Sequence, residues 1–84
     1  MSLPSRLYFI SDGETIGDTF VNVGWFLDAK RIEELIRESI NCNRELFKEC
    51  DKIALYNMEF TKKEIYEIGS QSDMIKLIEE KMNG

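Results

Sequence analysis

Leu7-Tyr8-Phe9-Ile10-Ser11, then Asp12-Gly13, then, past a polar stretch, Phe20-Val21-Asn22-Val23-Gly24-Trp25-Phe26-Leu27: the fold turns on how these residues are read. The first run is apolar and aromatic, as strands are. The Asp-Gly that follows is a strong reversal signal, because a two-residue hairpin turn needs positive φ at its central positions. The stretch from Glu14 through Gly17-Asp18 reads as a loop with a second bend. The last run alternates at period two. It places Val21, Val23, Trp25 and Leu27 on one face, and Phe20, Asn22, Gly24 and Phe26 on the other. These patterns predict a hairpin with strands over 7–11 and 20–27, joined by the loop around Gly13 and Gly17. Gly24, within the second strand, implies a bulge or a close backbone approach.

Next to this hairpin the period changes. Asp28 is suited to cap a helix, since its carboxylate can accept from unpaired backbone N–H groups. Ala29, Ile32, Leu35, Ile36 and Ile40 then recur at helical spacing. Lys30–Glu34 and Glu33–Arg37 are i,i+4 pairs placed on the outer face. Asn41-Cys42-Asn43 interrupts the pattern, and Asn41 or Asn43 can cap a short second helix carrying Leu46, Phe47 and Cys50 inward.

Ile53 to Phe60 reads as a third strand, with Ala54, Tyr56, Met58 and Phe60 on one face and Ile53, Leu55, Asn57 and Glu59 on the other. Thr61 to Gly69 carries two readings. Thr61-Lys62-Lys63-Glu64 fits a capping box, with Phe60 and Ile65 as a hydrophobic staple and Gly69 as a stop. Equally, Thr61-Lys62-Lys63 can turn the chain into a fourth strand over Glu64–Ile68, where Tyr and Ile are at home. Ser70 or Ser72 caps a last helix whose stripe is Met74, Ile75, Leu77, Ile78 and Met82. The predicted fold is α+β. It is one small domain over 7–84 after a tail of residues 1–6, with a three- or four-stranded, mostly antiparallel sheet and two to four helices mainly on one face. Met1-Ser2-Leu3 is compatible with a cloning remnant.

Composition narrows the function classes. The 84 residues are 43% hydrophobic and 32% charged, within or near the folded range, and 11% aromatic, which supplies core volume. With 16 acidic residues against 11 basic ones the net charge is −5, which disfavours phosphate backbones and anionic lipid as partners. No apolar run approaches a membrane span and the start does not read as a signal peptide, so the expected location is the cytoplasm. Two cysteines, Cys42 and Cys50, fit free thiols in a reducing compartment. They lack Cys-x-x-Cys spacing, so zinc would require ligands from a second chain. Histidine is absent, which removes the usual base for a Ser or Cys nucleophile. The sequence reads as non-catalytic, with no cofactor.

Asp12, Glu14 and Asp18 are the candidate metal ligands, and a regulator binding a metal ion or metabolite through the acidic loop 12–18 is one alternative function. The loop departs from the EF-hand pattern, since Ile16 and Val23 stand at its fifth and twelfth positions. A nucleic-acid-mimicking inhibitor is a further alternative, weakened by the interleaved bases. The leading expectation comes from the strands. Both faces of the second strand carry large apolar groups, and one layer of helices covers only one face. Phe20, Asn22, Phe26 and Tyr8 are therefore the candidate interface of a protein-interaction or accessory module, a homodimer or a small hetero-complex.

Overall fold

Strand β1 runs over Pro4–Ser11 and β2 over Glu14–Asn22. Between them lie only Asp12 and Gly13, at φ 53° and 82°, the pattern of a type I′ turn. The structure is a computed structural model that describes residues 4–22, 24 and 28–83. The expectations for Val23, Trp25, Phe26, Leu27 and Met1–Leu3 lie outside the described residues.

The hairpin corrects the predicted second strand. It begins at Glu14 instead of Phe20 and ends at Asn22. Because the turn closes on two residues, pairing starts at once with Ser11 opposite Glu14, and the polar stretch is drawn into the sheet. Gly17 makes no bend. It lies in β2 opposite Phe9, and a Cβ there would come within 2.7 Å of the Leu46 side chain, so a glycine admits that contact. The register slips between Phe9 and Ile10, leaving Ile16 as the extra residue of a bulge. β2 stops where the Asn22 Oδ1 accepts from the Gly24 N–H at 3.0 Å. Gly24 is a turn residue at φ 73°, not part of the strand. At its other end the sheet starts at Pro4, so residues 4–6 extend β1 and are not tail.

Helix α1 spans Ala29–Cys42, and the Asp28 carboxylate caps it by accepting from the Arg31 N–H at 2.8 Å. Ala29, Ile32, Leu35 and Ile36 are buried as the stripe requires. Two details differ from expectation. Glu34 pairs with Arg31, one turn away, where Lys30 was expected, and Glu33 is buried, not on the outer face. Helix α2, Arg44–Glu49, places Phe47 in the core just before buried Cys50. Asn43 starts it without a side-chain cap, and its amide donates back to the Ser39 carbonyl.

The predicted third strand is two strands. β3 covers Lys52–Leu55 and β4 Met58–Thr61, reversed at Tyr56-Asn57. Ile53, Leu55, Met58 and Phe60 all enter the core, a set that no single straight strand could present to one side. Thr61 then starts helix α3, Lys62–Glu67, with a complete capping box: the Thr61 side chain accepts from the Glu64 N–H, and the Glu64 carboxylate accepts from the Thr61 N–H. This decides the ambiguous segment in favour of helix, though Ile68 and not Gly69 closes it. Helix α4, Gln71–Asn83, is capped by Ser70, whose hydroxyl accepts from the Asp73 N–H.

The sheet order is β2-β1-β3-β4, with every neighbouring pair antiparallel. Residues from α1, α2 and α4 join Leu7, Phe9, Val21 and the inward residues of β3 and β4 in one core. The fold is α+β: among the described residues, a four-stranded antiparallel sheet with four helices. The order ββαα occurs twice along the chain.

Candidate functional site

Alternation along β1 divides the sheet into two unlike faces. Leu7 and Phe9 are fully enclosed in the helix-covered core, so Arg6, Tyr8 and Ile10 point the other way. Register carries that division across the sheet. Tyr8 lies between Asp18 on β2 and Ala54 on β3, and Ala54 lies beside Glu59 on β4. Arg6 pairs with Phe20, and Ile10 with Lys52. The outer face therefore carries two aromatic side chains, Tyr8 and Phe20, 39% and 59% exposed, with half-buried Ile10 and Ala54 on the same face.

Two ion pairs share the face with these apolar groups, and the first crosses the diagonal between Tyr8 and Phe20. The Arg6 Nη1 meets the Asp18 Oδ1 at 3.1 Å, diagonally across β1 and β2. Lys52 Nζ meets the Glu59 Oε1 at 3.1 Å across β3 and β4. Arg6, Tyr8 and Phe20, with Ser5, line a shallow open depression. The arrangement suits adhesion: flat apolar rings for contact area, and charges of both signs to orient a partner.

The edge of this sheet is less inviting than its face. β2 is an outer strand with one row of backbone groups unpaired within the sheet. The bulge at Ile16 interrupts that row, the Asp18 charge sits near its middle, and at its end the Arg31 guanidinium donates to the Asn22 carbonyl at 2.6 Å. Bulges and charges are the usual means by which an edge resists pairing with another strand.

The structure brings Tyr8 and Phe20 together on the exposed face, with Asn22 exposed on the same strand as Phe20; Phe26 lies outside the described residues. It does not gather the acidic candidates. Asp12 belongs to the hairpin turn, Glu14 opens β2, and Asp18 is engaged by Arg6. Among the described residues no group of three or more His, Cys, Asp or Glu side chains could hold a metal ion. Sequence reasoning missed Arg6, Lys52 and Glu59 as part of this face. The signal for Arg6 was present, since it stands two residues before Tyr8 at strand period. Lys52 and Glu59 were hidden by reading 53–60 as one strand.

Of the two cysteines, Cys42 is exposed and Cys50 buried. Burial pushes the Cys50 thiol above its ordinary value, opposed by nearby Lys62. No helix among the described residues is long and apolar enough to cross a membrane. No protein-family model, no curated protein and no solved structure matches this chain. The fold and the outer face are what define it: a small α+β protein with an open aromatic sheet surface.

Proposed function

We propose that this chain is a non-catalytic interaction module that self-associates through the open sheet face, two copies meeting face to face. The observation that carries the reading is the exposure of both Phe20 and Tyr8 on the face turned away from the helices. Rings displayed together on a small protein mark association surfaces more often than they serve stability. Charge supports a second copy as the occupant. The chain as a whole is at −5, yet Arg6, Asp18, Lys52 and Glu59 on this face sum to zero. A two-fold contact can set Arg6 of one copy near Asp18 of the other without net repulsion.

Area limits the strength of such a dimer. With strands ~4.8 Å apart and ~3.4 Å per residue, the face presents roughly 400 Å² in projection, below the ~800 Å² per side of a standard interface. The expected dimer therefore dissociates on dilution. Light scattering from ~5 to ~500 µM should show the mass rise from 9.8 kDa toward twice that value. Phe20→Asp should hold the mass at the monomer value, with helical circular dichroism unchanged and stability within ~0.5 kcal/mol of the parent. A parent that stays monomeric at ~500 µM, or a Phe20→Asp protein that dimerises equally well, refutes the proposal.

A further inference from the structure

On the helical side of the molecule a cleft of about 370 Å³ opens between α1 and the α3–α4 connection. Ile36, Ile40, Ile65 and Ile68 give it an apolar lining, and Glu33 and Arg37 reach it from successive turns of α1. Glu33 is only 4% exposed, which is rare for a carboxylate. Both of its contacts fall on one oxygen: Gln71 Nε2 donates to Oε1 at 2.8 Å, and Arg37 Nη1 stands 3.6 Å from the same atom. The second distance is long for a charge-assisted hydrogen bond, and the Arg37 side chain is 55% exposed.

The Glu33 Oε2 has no donor among the described residues, yet no fully enclosed side-chain oxygen or nitrogen lacks a partner. Oε2 therefore keeps an opening, and the cleft is the concavity that Glu33 lines. A buried carboxylate with one free oxygen favours a cationic donor. A simple cation would be opposed by Arg37, and a simple anion by Glu33. A dipolar ligand answers both.

We propose that this cleft binds a free apolar α-amino acid. Its ammonium donates to the Glu33 Oε2, its carboxylate accepts from the Arg37 guanidinium, and its side chain lies on the isoleucines. The two charged groups of such a ligand are ~3 Å apart, close to the spacing of the loose Glu33–Arg37 pair they would bridge. The cleft volume is at the lower end of small-molecule sites, as a ligand of this size requires. The site is separate from the sheet face and does not depend on self-association.

The test is titration of the isotope-labelled full chain with L-leucine to ~10 mM, following backbone amide shifts by NMR. Saturable shifts are expected at Arg37, Ile65 and Ile68–Gln71. Leucinamide, which lacks the carboxylate, and 4-methylpentanoic acid, which lacks the ammonium, should each bind at least ~tenfold more weakly. Glu33→Gln and Arg37→Met should each lose at least ~tenfold in affinity with circular dichroism unchanged. Arg37 is exposed enough that its variant folds even if the Glu33 variant does not. The proposal is overturned if L-leucine, L-isoleucine and L-methionine all leave the amides unshifted at ~10 mM, if either truncated analogue matches leucine, or if Arg37→Met binds leucine as the parent does.

Discussion

The two hairpins of the sheet solve one problem in opposite ways. The β1–β2 hairpin turns on Asp12-Gly13, whose positive φ angles suit those residue types. The β3–β4 hairpin turns on Tyr56-Asn57, where Tyr56 sits at φ 57°, a conformation that bulky side chains avoid. One hairpin is written into its turn. The other is imposed by its surroundings: four inward apolar side chains, Ile53, Leu55, Met58 and Phe60, and the capped helix α3 that starts directly after Thr61. A turn without turn chemistry persists when what it joins is sufficiently buried.

The largest expected effect comes from removing that burial. Phe60 is fully enclosed, with the Lys81 ammonium over its ring, and Phe60→Ala should lower unfolding stability by ~3–5 kcal/mol in denaturant titrations. An equal loss from the exposed Phe20→Ala would erase the distinction between the two faces of the sheet.

Next comes the joint between the hairpins. Asp51 accepts at its carboxylate from the Asp12 N–H at 2.8 Å, donates its own N–H to the Ile10 carbonyl, and accepts at its carbonyl from the Lys62 N–H. Asp51→Ala removes only the side-chain bond and should cost ~1–2 kcal/mol, measured by the thermal midpoint.

The turns themselves should respond with opposite signs. Tyr56→Gly relieves an unfavourable φ and should stabilise by up to ~1 kcal/mol, whereas Gly13→Ala should destabilise by ~1 kcal/mol. Same-sign results would mean that both turns are set by context.

The smallest effect concerns the anchor of the second hairpin. The hydrogen bond from the Thr61 N–H, with Lys81 at 3.1 Å, holds the Glu64 carboxyl below its ordinary value of 4.5 despite partial burial. A depressed folded-state pKa contributes stability above the unfolded value, and that contribution is lost as pH falls through the folded one. Stability measured from pH ~6 down to ~3 should decline less steeply in Glu64→Gln than in the parent. Identical slopes would dismiss the capping carboxylate as a contributor.

These contrasts also explain what could be read in the sequence. Asp12-Gly13, the Asp28 cap and the stripe of α1 were legible because local chemistry and tertiary structure agree there. The break at Tyr56 was not, since Ile53 to Phe60 is apolar at first and then alternates, both strand-like, with no turn residue stronger than Asn57. Glu33 looked like a surface partner of Arg37. In the fold its carboxylate is buried and accepts from Gln71, 38 positions later, and no local pattern carries that information. On the outer face, Phe20 was legible from strand period, Tyr8 only up to a register that left Leu7 and Phe9 as the alternative, and Glu59 depended on a turn that had not been read.

The strand order has one more consequence. Each hairpin closes over two residues, but the pairing of Ile10 with Lys52 joins positions 42 apart. Closing a loop of that length carries an entropic penalty of roughly 3 kcal/mol, so local zipping is expected to precede the middle seam during refolding. Until that seam closes, β1 and β3 each present a naked margin of the right shape for the other. In a crowded refolding mixture, the same margins on neighbouring chains are interchangeable, which makes exchanged halves the expected by-product of folding at high concentration.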